Sequence, residues 1–517
     1  MNPVLNAQQF RDLDLRIMRD QNLSSIDLME RAAMAFVNRL FELFVGEVRH
    51  VFIFCGPGNN GGDGLAIARL LGERDVFPEL FILPSKKYSA DFEINLARLI
   101  DHGITPQSYD GNFPMMESDA IIIDALFGTG LARPLKNEAA HLIHQINNSG
   151  VFVVSVDIPS GMFCDSQTDG PIVKATETLT FNFPKLTFFL PQTGESVGEF
   201  DVLNIGVDDK YFLEIESEIR TVDESDLSLH LNQRKTFSHK GDFGHALIIA
   251  GSKSKTGAAI LCSTACMRSG VGKLTVHLPS LSAAAMNVAL PEAMVSCDAD
   301  SSLYSTNPDF AECNAVAIGP GIGTNEKSKK AFEEFLRTNK LPAVIDADGL
   351  NLLGLHPELL QLIDSKYILT PHPGEFRRLV GDWENDFEKL EKLKNFSREH
   401  QCVVVLKGAF TVTTNSSGQL IFNTTGNPCL AKAGSGDVLT GVVLALLARG
   451  YSQFVAAWLG ALIHGMAADK AAEVFHEDSV LATDICLSIS AALNHDEILF
   501  KEFMNRKNED KFPGKMF

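Results

Sequence analysis

The sequence predicts an α/β protein of two domains, each a largely parallel sheet covered by helices. Three observations predict it. Short apolar runs alternate with helical patterns along nearly the whole chain, which implies right-handed crossovers and parallel strands. Almost every glycine or aspartate cluster falls directly after one of those runs. One stretch, residues 209–234, is charged and holds no glycine, so it divides the chain. The expected boundaries are a first domain at 1–213, a linker at 214–235 and a second domain at 236–505. A length of 517 residues suits this division, since a domain takes ~150 residues.

Composition narrows the function classes. The chain is 45% hydrophobic and 21% charged, ordinary for a globular protein. A net charge of −20 argues against nucleic-acid or anionic-membrane partners, which want basic surface. No run of ~18 apolar residues suggests a membrane span, and the polar start of the chain lacks the apolar core of a signal peptide. Nine scattered cysteines show no metal spacing. Cys262 and Cys266 read as small core residues. Reduced thiols and a cytoplasmic location are expected, with small molecules as partners and a homo-oligomeric state.

In the first half, residues 1–48 read as packing helices, with apolar residues at helical spacing from Ser25 to Leu43. Val51–Cys55 is a short apolar strand. Gly56 to Asp63 follows as a tight loop, then a helix from Leu65. Gly56, Gly58 and Gly61 match G-x-G-x-x-G, a weak signal alone. Asn59, Asn60 and Asp63 add side-chain oxygens that ligate a cation or read an amide, or else only build a turn. Further strands end at Leu83, at Asp124 before LFGTGLARP, and at Asp157 before IPSG. Ligands of parallel sheets sit beyond the carboxyl ends of the strands. Asn59, Asn60, Asp63, Asp124, Gly128, Thr129, Gly130, Asp157 and Ser160 all fall there.

The second half starts at HKGDFGHALIIAGS, with a strand at Ala246–Ala250 and a helix at Thr256–Gly270. Later strands run into GPGIG (319–323), DADGLN (346–351), TPHPGE (370–375) and KGAFT (407–411). Lys407 and Gly408 suit phosphate through charge and backbone N–H. His372, between two prolines, is structural or part of a site with Glu375. Asp346 and Asp348 either hold Mg²⁺ or shape a turn. The stretch TTGNPCLAKAGSGDVLTG then bends at Gly434–Gly436 into an apolar helix starting near Asp437. Such a helix start suits an anion. Asp437 either caps the helix or takes a proton from a hydroxyl. Three helices end the chain, at Asp437–Ala448, Ser452–Glu473 and Thr483–His495, with Phe512–Phe517 frayed.

Together these motifs resemble a known family. AGSGDVLTG resembles the anion-hole motif of ribokinase-like kinases. GHALIIAGS, AIGPGIG, DADGLN, TPHPGE, KGAFT and NPCLAKAGSGD are similar to NAD(P)H-hydrate dehydratases. GPGNNGGDG, DALFGTGLARP and VDIPSG are similar to NAD(P)H-hydrate epimerases. The order of the two sets, over roughly residues 10–500, resembles the bifunctional NAD(P)H-hydrate repair enzymes.

The resemblance implies a Rossmann-like three-layer sandwich followed by a ribokinase-like α/β/α domain. It implies interconversion of the R and S epimers of hydrated NADH and NADPH. The S epimer is then dehydrated using ADP, with K⁺ in the epimerase site and Mg²⁺ in the dehydratase site. By matched motif, Asn59, Asn60, Gly61, Gly62, Asp63, Gly128, Thr129, Gly130, Leu131, Ala132, Arg133, Pro134 and Asp157 contact the hydrated cofactor. Asn60, Asp124 and Ser160 hold K⁺. In the second half Ala246, Gly321, His372 and Asp437 contact the hydrated cofactor, and Lys407, Gly408, Ala409, Phe410, Thr411 and Gly436 contact the nucleotide. Asp437 and Asp157 are the expected catalytic residues. The family often has NPGMATGGTGD where this chain has NPCLAKAGSGD, so Lys432 either aids phosphate or faces solvent. The rival readings are a small-molecule kinase fused to a nucleotide-binding domain and a non-catalytic nucleotide sensor.

Overall fold

The computed structural model describes residues 1–45, 48–208, 211 and 214–494. Phe512–Phe517 and the last residue of the expected final helix lie outside them. The chain forms two compact units that part between Ser217 and Glu218.

The first unit is built on seven parallel strands: β1 Val51–Cys55, β2 Glu79–Ile82, β3 Gln107–Ser108, β4 Ile121–Ala125, β5 Phe152–Val156, β6 Glu177–Phe181 and β7 Glu199–Leu203. Their order is β3-β2-β1-β4-β5-β6-β7. The winding reverses between β1 and β4, and ligands of such sheets enter at that point. Side chains alternate across the sheet. Ile53, Ile121, Ile123, Val154 and Val156 pack with helices α1–α3 of this layer's side, here Ser25–Leu43, Asn59–Gly72 and Ala90–Asp101. Phe52, Phe54, Ile122 and Val153 pack on the other face with α4, Asn137–Asn147. Both faces are therefore covered, and each fully buried large side chain such as Phe54 contributes about 1.5–3 kcal/mol.

One local expectation fails here. The stretch read as a loop through Asp63 is helical from Asn59. Asn and Gly favour turns in isolation, but tertiary packing demands them. A Cβ on Gly61 would stand 1.8 Å from the Gly56 carbonyl oxygen, so only glycine lets helix α2 approach β1.

In the second unit the sheet runs β8-β17-β16-β15-β14-β13-β12-β9-β10-β11. These are Ile219–Val222 (β8), His245–Ile249 (β9), Lys273–Pro279 (β10), Met294–Asp298 (β11), Ala315–Ile318 (β12), Ala343–Ile345 (β13), Tyr367–Leu369 (β14), Val403–Leu406 (β15), Val412–Thr414 (β16) and Leu420–Asn423 (β17). Pairing is parallel except at β15-β16-β17, an antiparallel meander that the expected parallel sheet lacked. The stretch expected as a linker contains β8, which pairs with β17, and buried Val222 and Leu227.

Helices α5 Thr256–Arg268, α6 Ser435–Ala448 and α7 Gln453–Ala472 cover one face with Ala246, Ile248, Ala317 and Val344. Leu247, Ile249, Val316 and Ile345, on the opposite face, are equally buried. The winding of this sheet reverses between β9 and β12, which places the loops at Gly251 and Gly319–Gly323 at its crevice.

Candidate active sites

The first site is a cavity of about 590 Å³ at the β1/β4 reversal. Asn59, Asn60, Asp63, Gly128, Thr129, Gly130, Leu131 and Asp157 line it, all expected from the sequence. Gly61 and Gly62 do not; they let helix α2 pack against Gly56 and Met29. Ala132, Arg133 and Pro134 are exposed and lie outside the lining.

Asp157 has a left-handed backbone, φ +67°, an uncommon state for a non-glycine residue. Its Oδ1 accepts from Phe181 N at 3.0 Å, from Thr180 Oγ1 at 3.2 Å and from the Lys185 ammonium. Lys185 is 1% exposed, and its Nζ also sits 4.6 Å from the centroid of the Phe10 ring. The carboxylate is thus fixed through one oxygen, and no described residue donates to the other.

Beneath the cavity Asp124 is fully buried. Its oxygens accept from Ser155 Oγ and Ser160 N, each at 2.8 Å, and from Leu126 N at 3.3 Å. Burial raises its pKa against those bonds. Ser160 Oγ accepts from Phe127 N at 2.8 Å. Asn60 Nδ2 donates to Val156 O at 2.8 Å, while its Oδ1 is buried without a partner.

The second site gathers at the N-terminus of α6. Gly434 is left-handed, φ +94°, and turns the chain into the helix. The N–H groups of Gly436 and Asp437 precede any intrahelical acceptor and remain free for an anion. Asp437 is the third helical residue rather than the cap, and no described residue donates a hydrogen bond to it. Capping is therefore not its role. Burial, then the charge of Asp346, push its carboxyl up to about 7, against Lys407.

Lys407 Nζ donates to Asp346 Oδ1 at 2.9 Å and stands 3.9 Å from Glu375 Oε2. Thr440 Oγ1 donates to Asp346 Oδ2 at 2.7 Å. A Cβ on Gly436 would stand 3.3 Å from Lys407 Nζ. His372 caps the helix Pro373–Val380 through Nδ1, which accepts from Gly374 N at 2.9 Å, and Glu375 returns a bond to His372 N. At the sheet reversal Lys255 Nζ and Gly323 N each donate to Asp348 Oδ2 at 2.9 Å. Gly321 is left-handed, φ +69°, and lies against Lys255.

Two family models divide the chain in the same way. One, described as the N-terminus of YjeF-related proteins, matches residues 25–187. The other, described as NAD(P)H-hydrate dehydratase, matches residues 246–490. The bifunctional NAD(P)H-hydrate repair enzyme of Moorella thermoacetica is 34% identical over 502 residues, which cover 93% of this chain and 95% of that one. The chain belongs to the family of bifunctional NAD(P)H-hydrate repair enzymes.

The repair enzyme of Coxiella burnetii is 32% identical over 505 residues, covering 96% of this chain and all of its own. A solved ADP/ATP-dependent NAD(P)H-hydrate dehydratase of Bacillus subtilis, crystallised with ATP/Mg²⁺, is 30% identical; it covers 54% of this chain and 98% of its own, at a TM-score of 0.48. Family membership makes the chain an enzyme with two activities, an NAD(P)H-hydrate epimerase and an NAD(P)H-hydrate dehydratase. The kinase reading gives way to it.

For this repair enzyme the cation expectations differ in their fit. Asn60 Oδ1, a buried acceptor without a partner, suits a monovalent cation. Asp346 and Asp348 do not suit Mg²⁺. Their oxygens are engaged by Lys407, Thr440, Lys255 and Gly323, so they form ion pairs rather than an open carboxylate cage.

Ala246 is a correction. It is fully buried near the amino end of β9, in register with Leu274 and Ala315, away from the strand ends that form the crevice. Lys432 is another. Its Nζ donates to the Asp478 and Val480 carbonyls, at 2.6 and 2.8 Å, and is spent on tying the loop down. Cys429 is buried, as are Cys262 and Cys266.

Sequence reasoning missed three residues. Asp14 lines the first cavity from a helix read as mere packing. A signal was present, because Asp14 falls four residues after Phe10 on the face that buries Leu13 and Ile17. Lys185 had no motif. His464, 7% exposed on α7, lies behind the Ser435 turn, and burial drops its pKa to about 4.

Proposed function

We propose that the crevice at α6 converts the ring hydroxyl of the S hydrate into a leaving group. Asp437 takes the hydroxyl proton, and the attacking oxygen meets the terminal phosphorus of ADP. The free N–H groups of Gly436 and Asp437 hold the charge that develops on the phosphoryl oxygens, with Lys407 beside them. The phosphorylated hydroxyl then departs as phosphate, the ring nitrogen supplies the electron pair to form C=N⁺, and loss of a proton to water from the adjacent ring carbon leaves NAD(P)H, beside AMP. One observation carries this reading. Asp437 is a carboxyl with no described donor, raised to about 7 by burial, and its own N–H and that of Gly436 have no intrahelical acceptor. Gly321 and His372 shape the hydrate side, and Lys407, Gly408, Ala409, Phe410, Thr411 and Gly436 the nucleotide side. Mg²⁺ would arrive with the nucleotide.

In the first unit we read the 590 Å³ cavity as the epimerase site, with Asp157 as a proton-transfer group. Asn60, Asp124 and Ser160 would hold K⁺. The ion would neutralise the buried Asp124 and fix Asn60 at the cavity floor. We further read the enzyme as cytoplasmic and homo-oligomeric. No described helix is long and apolar enough to cross a membrane, and light scattering of the purified chain tests the oligomer.

The experiment for the whole reading is incubation of the protein with hydrated NADH of known epimer content. ADP, ATP or no nucleotide is added, and the absorbance of reduced nicotinamide is followed. ADP-dependent recovery of both epimers is expected. A stable phosphorylated hydrate would return the kinase reading.

A further inference from the structure

We propose that Asp14 is the general acid of the epimerase cavity, working opposite the carboxylate of Asp157. This deepens the epimerase reading above and rests on it.

Helix Ala7–Gln21 presents Phe10 and Asp14 on one face, four residues apart. Phe10 covers the Lys185 ammonium, 4.6 Å away, and Lys185 is paired with Asp157. Asp14 is therefore set beside that ion pair, and it lines the same cavity as Asp157. No described residue donates a hydrogen bond to the Asp14 carboxyl. The two acids have opposite surroundings. Asp157 accepts hydrogen bonds from Lys185, Thr180 and a backbone N–H. Burial, then the charge of Asp157, raise Asp14 to about 6, against the pull of Lys185. The other charged groups facing Asp14 are Asp63, across the cavity, and Arg11, on its own helix. A carboxyl buried without a donor beside one bonded to an ammonium supplies an acid opposite a base.

The chemistry needs such a pair. Water added to an enamine carbon leaves a hydroxyl on the carbon bonded to nitrogen. Asp14 gives its proton to that hydroxyl, the C–O bond breaks with its electrons leaving on water, and the nitrogen lone pair forms C=N⁺. Water then adds to the opposite face and yields a proton to Asp157. The ring is unchanged in oxidation state and inverted at one carbon. One proton has moved from Asp14 to Asp157, which leaves the enzyme set to run the reverse epimerisation, and exchange with water resets it.

The test uses the full chain with an R-enriched hydrate and excess ADP. Absorbance returns in a fast phase from the S epimer and a slow phase from the R epimer. Asp14→Asn is expected to cut the slow phase by roughly 10²–10⁴-fold, with the fast phase unchanged. Asp14→Glu is expected to recover part of it. In the wild type, slow-phase kcat/KM should fall as pH rises past about 6, and Asp14→Asn should lose that limb. An Asp14→Asn enzyme epimerising at the wild-type rate overturns the proposal and leaves the epimerase reading standing. A loss in both variants with the acid limb still present shows a structural role and also overturns it. A wild-type chain with no slow phase above the enzyme-free rate overturns the epimerase reading and the proposal together.

Discussion

Lys407 Nζ donates to Asp346 Oδ1 at 2.9 Å, and this pair stands at the N-terminus of the helix that carries Asp437. The lysine thus does two things. It neutralises a carboxylate that is 1% exposed, and it brings a cation to the place where phosphoryl oxygens would sit.

Lys407→Met is accordingly expected to raise KM for the nucleotide and to slow dehydration. It also leaves Asp346 buried without its cation, at a cost of roughly 1.5–3 kcal/mol. Nucleotide titration and thermal unfolding of the same variant check both effects. Unchanged nucleotide affinity would remove Lys407 from the site.

Gly436→Ala should impair dehydration without unfolding the protein. The new methyl would stand 3.3 Å from Lys407 Nζ, tight enough to displace it. Steady-state assays on separated epimers should show S dehydration slowed and R-to-S conversion at the wild-type rate.

Asp437 links activity to stability. Its folded pKa, about 7, lies above the ordinary 3.8 because burial disfavours the anion. The folded state therefore holds its proton more tightly than the unfolded chain does. Stability is lost as pH rises from about 4 to about 7, and the deficit stays constant above that window. Asp437→Asn should remove the deficit, raising stability by roughly 1–4 kcal/mol at pH 8 while abolishing dehydration. Denaturant melts of both proteins at pH 5 and pH 8 read the difference, which should be larger at pH 8.

The orphaned Asn60 Oδ1 gives a cation test. Replacing K⁺ by a bulky organic cation should slow R-to-S conversion, and Asn60→Ala should cost about 10–100-fold. An epimerisation rate indifferent to the cation would exclude that site.

Much of this was legible in the chain. Strands such as Val51–Cys55 and Tyr367–Leu369 are buried on both faces, so they read as uninterrupted apolar runs between glycine turns. Asp437, Lys407, Asn60 and Asp124 follow such strands or open the next helix, where parallel sheets put their ligands. What stayed hidden depends on tertiary contact. The helix starting at Asn59 looks like a turn until Gly61 meets Gly56. Val412–Thr414 turns back antiparallel because its neighbour strand is one hairpin away, a pairing that alternation alone does not announce. Asp14 looks like one more charge on a surface helix, and only the fold brings it to Asp157 and Lys185.

The central claim is that Asp437 activates the S hydrate for nucleotide-dependent loss of its hydroxyl. The direct measurement is release of phosphate and reduced nicotinamide from S-hydrated NADH and ADP, by the wild type and by Asp437→Asn at pH 8. The account predicts equal amounts of both products from the wild type, and a rate lower by roughly 10²–10⁴-fold in the variant. Wild-type turnover by Asp437→Asn would contradict it.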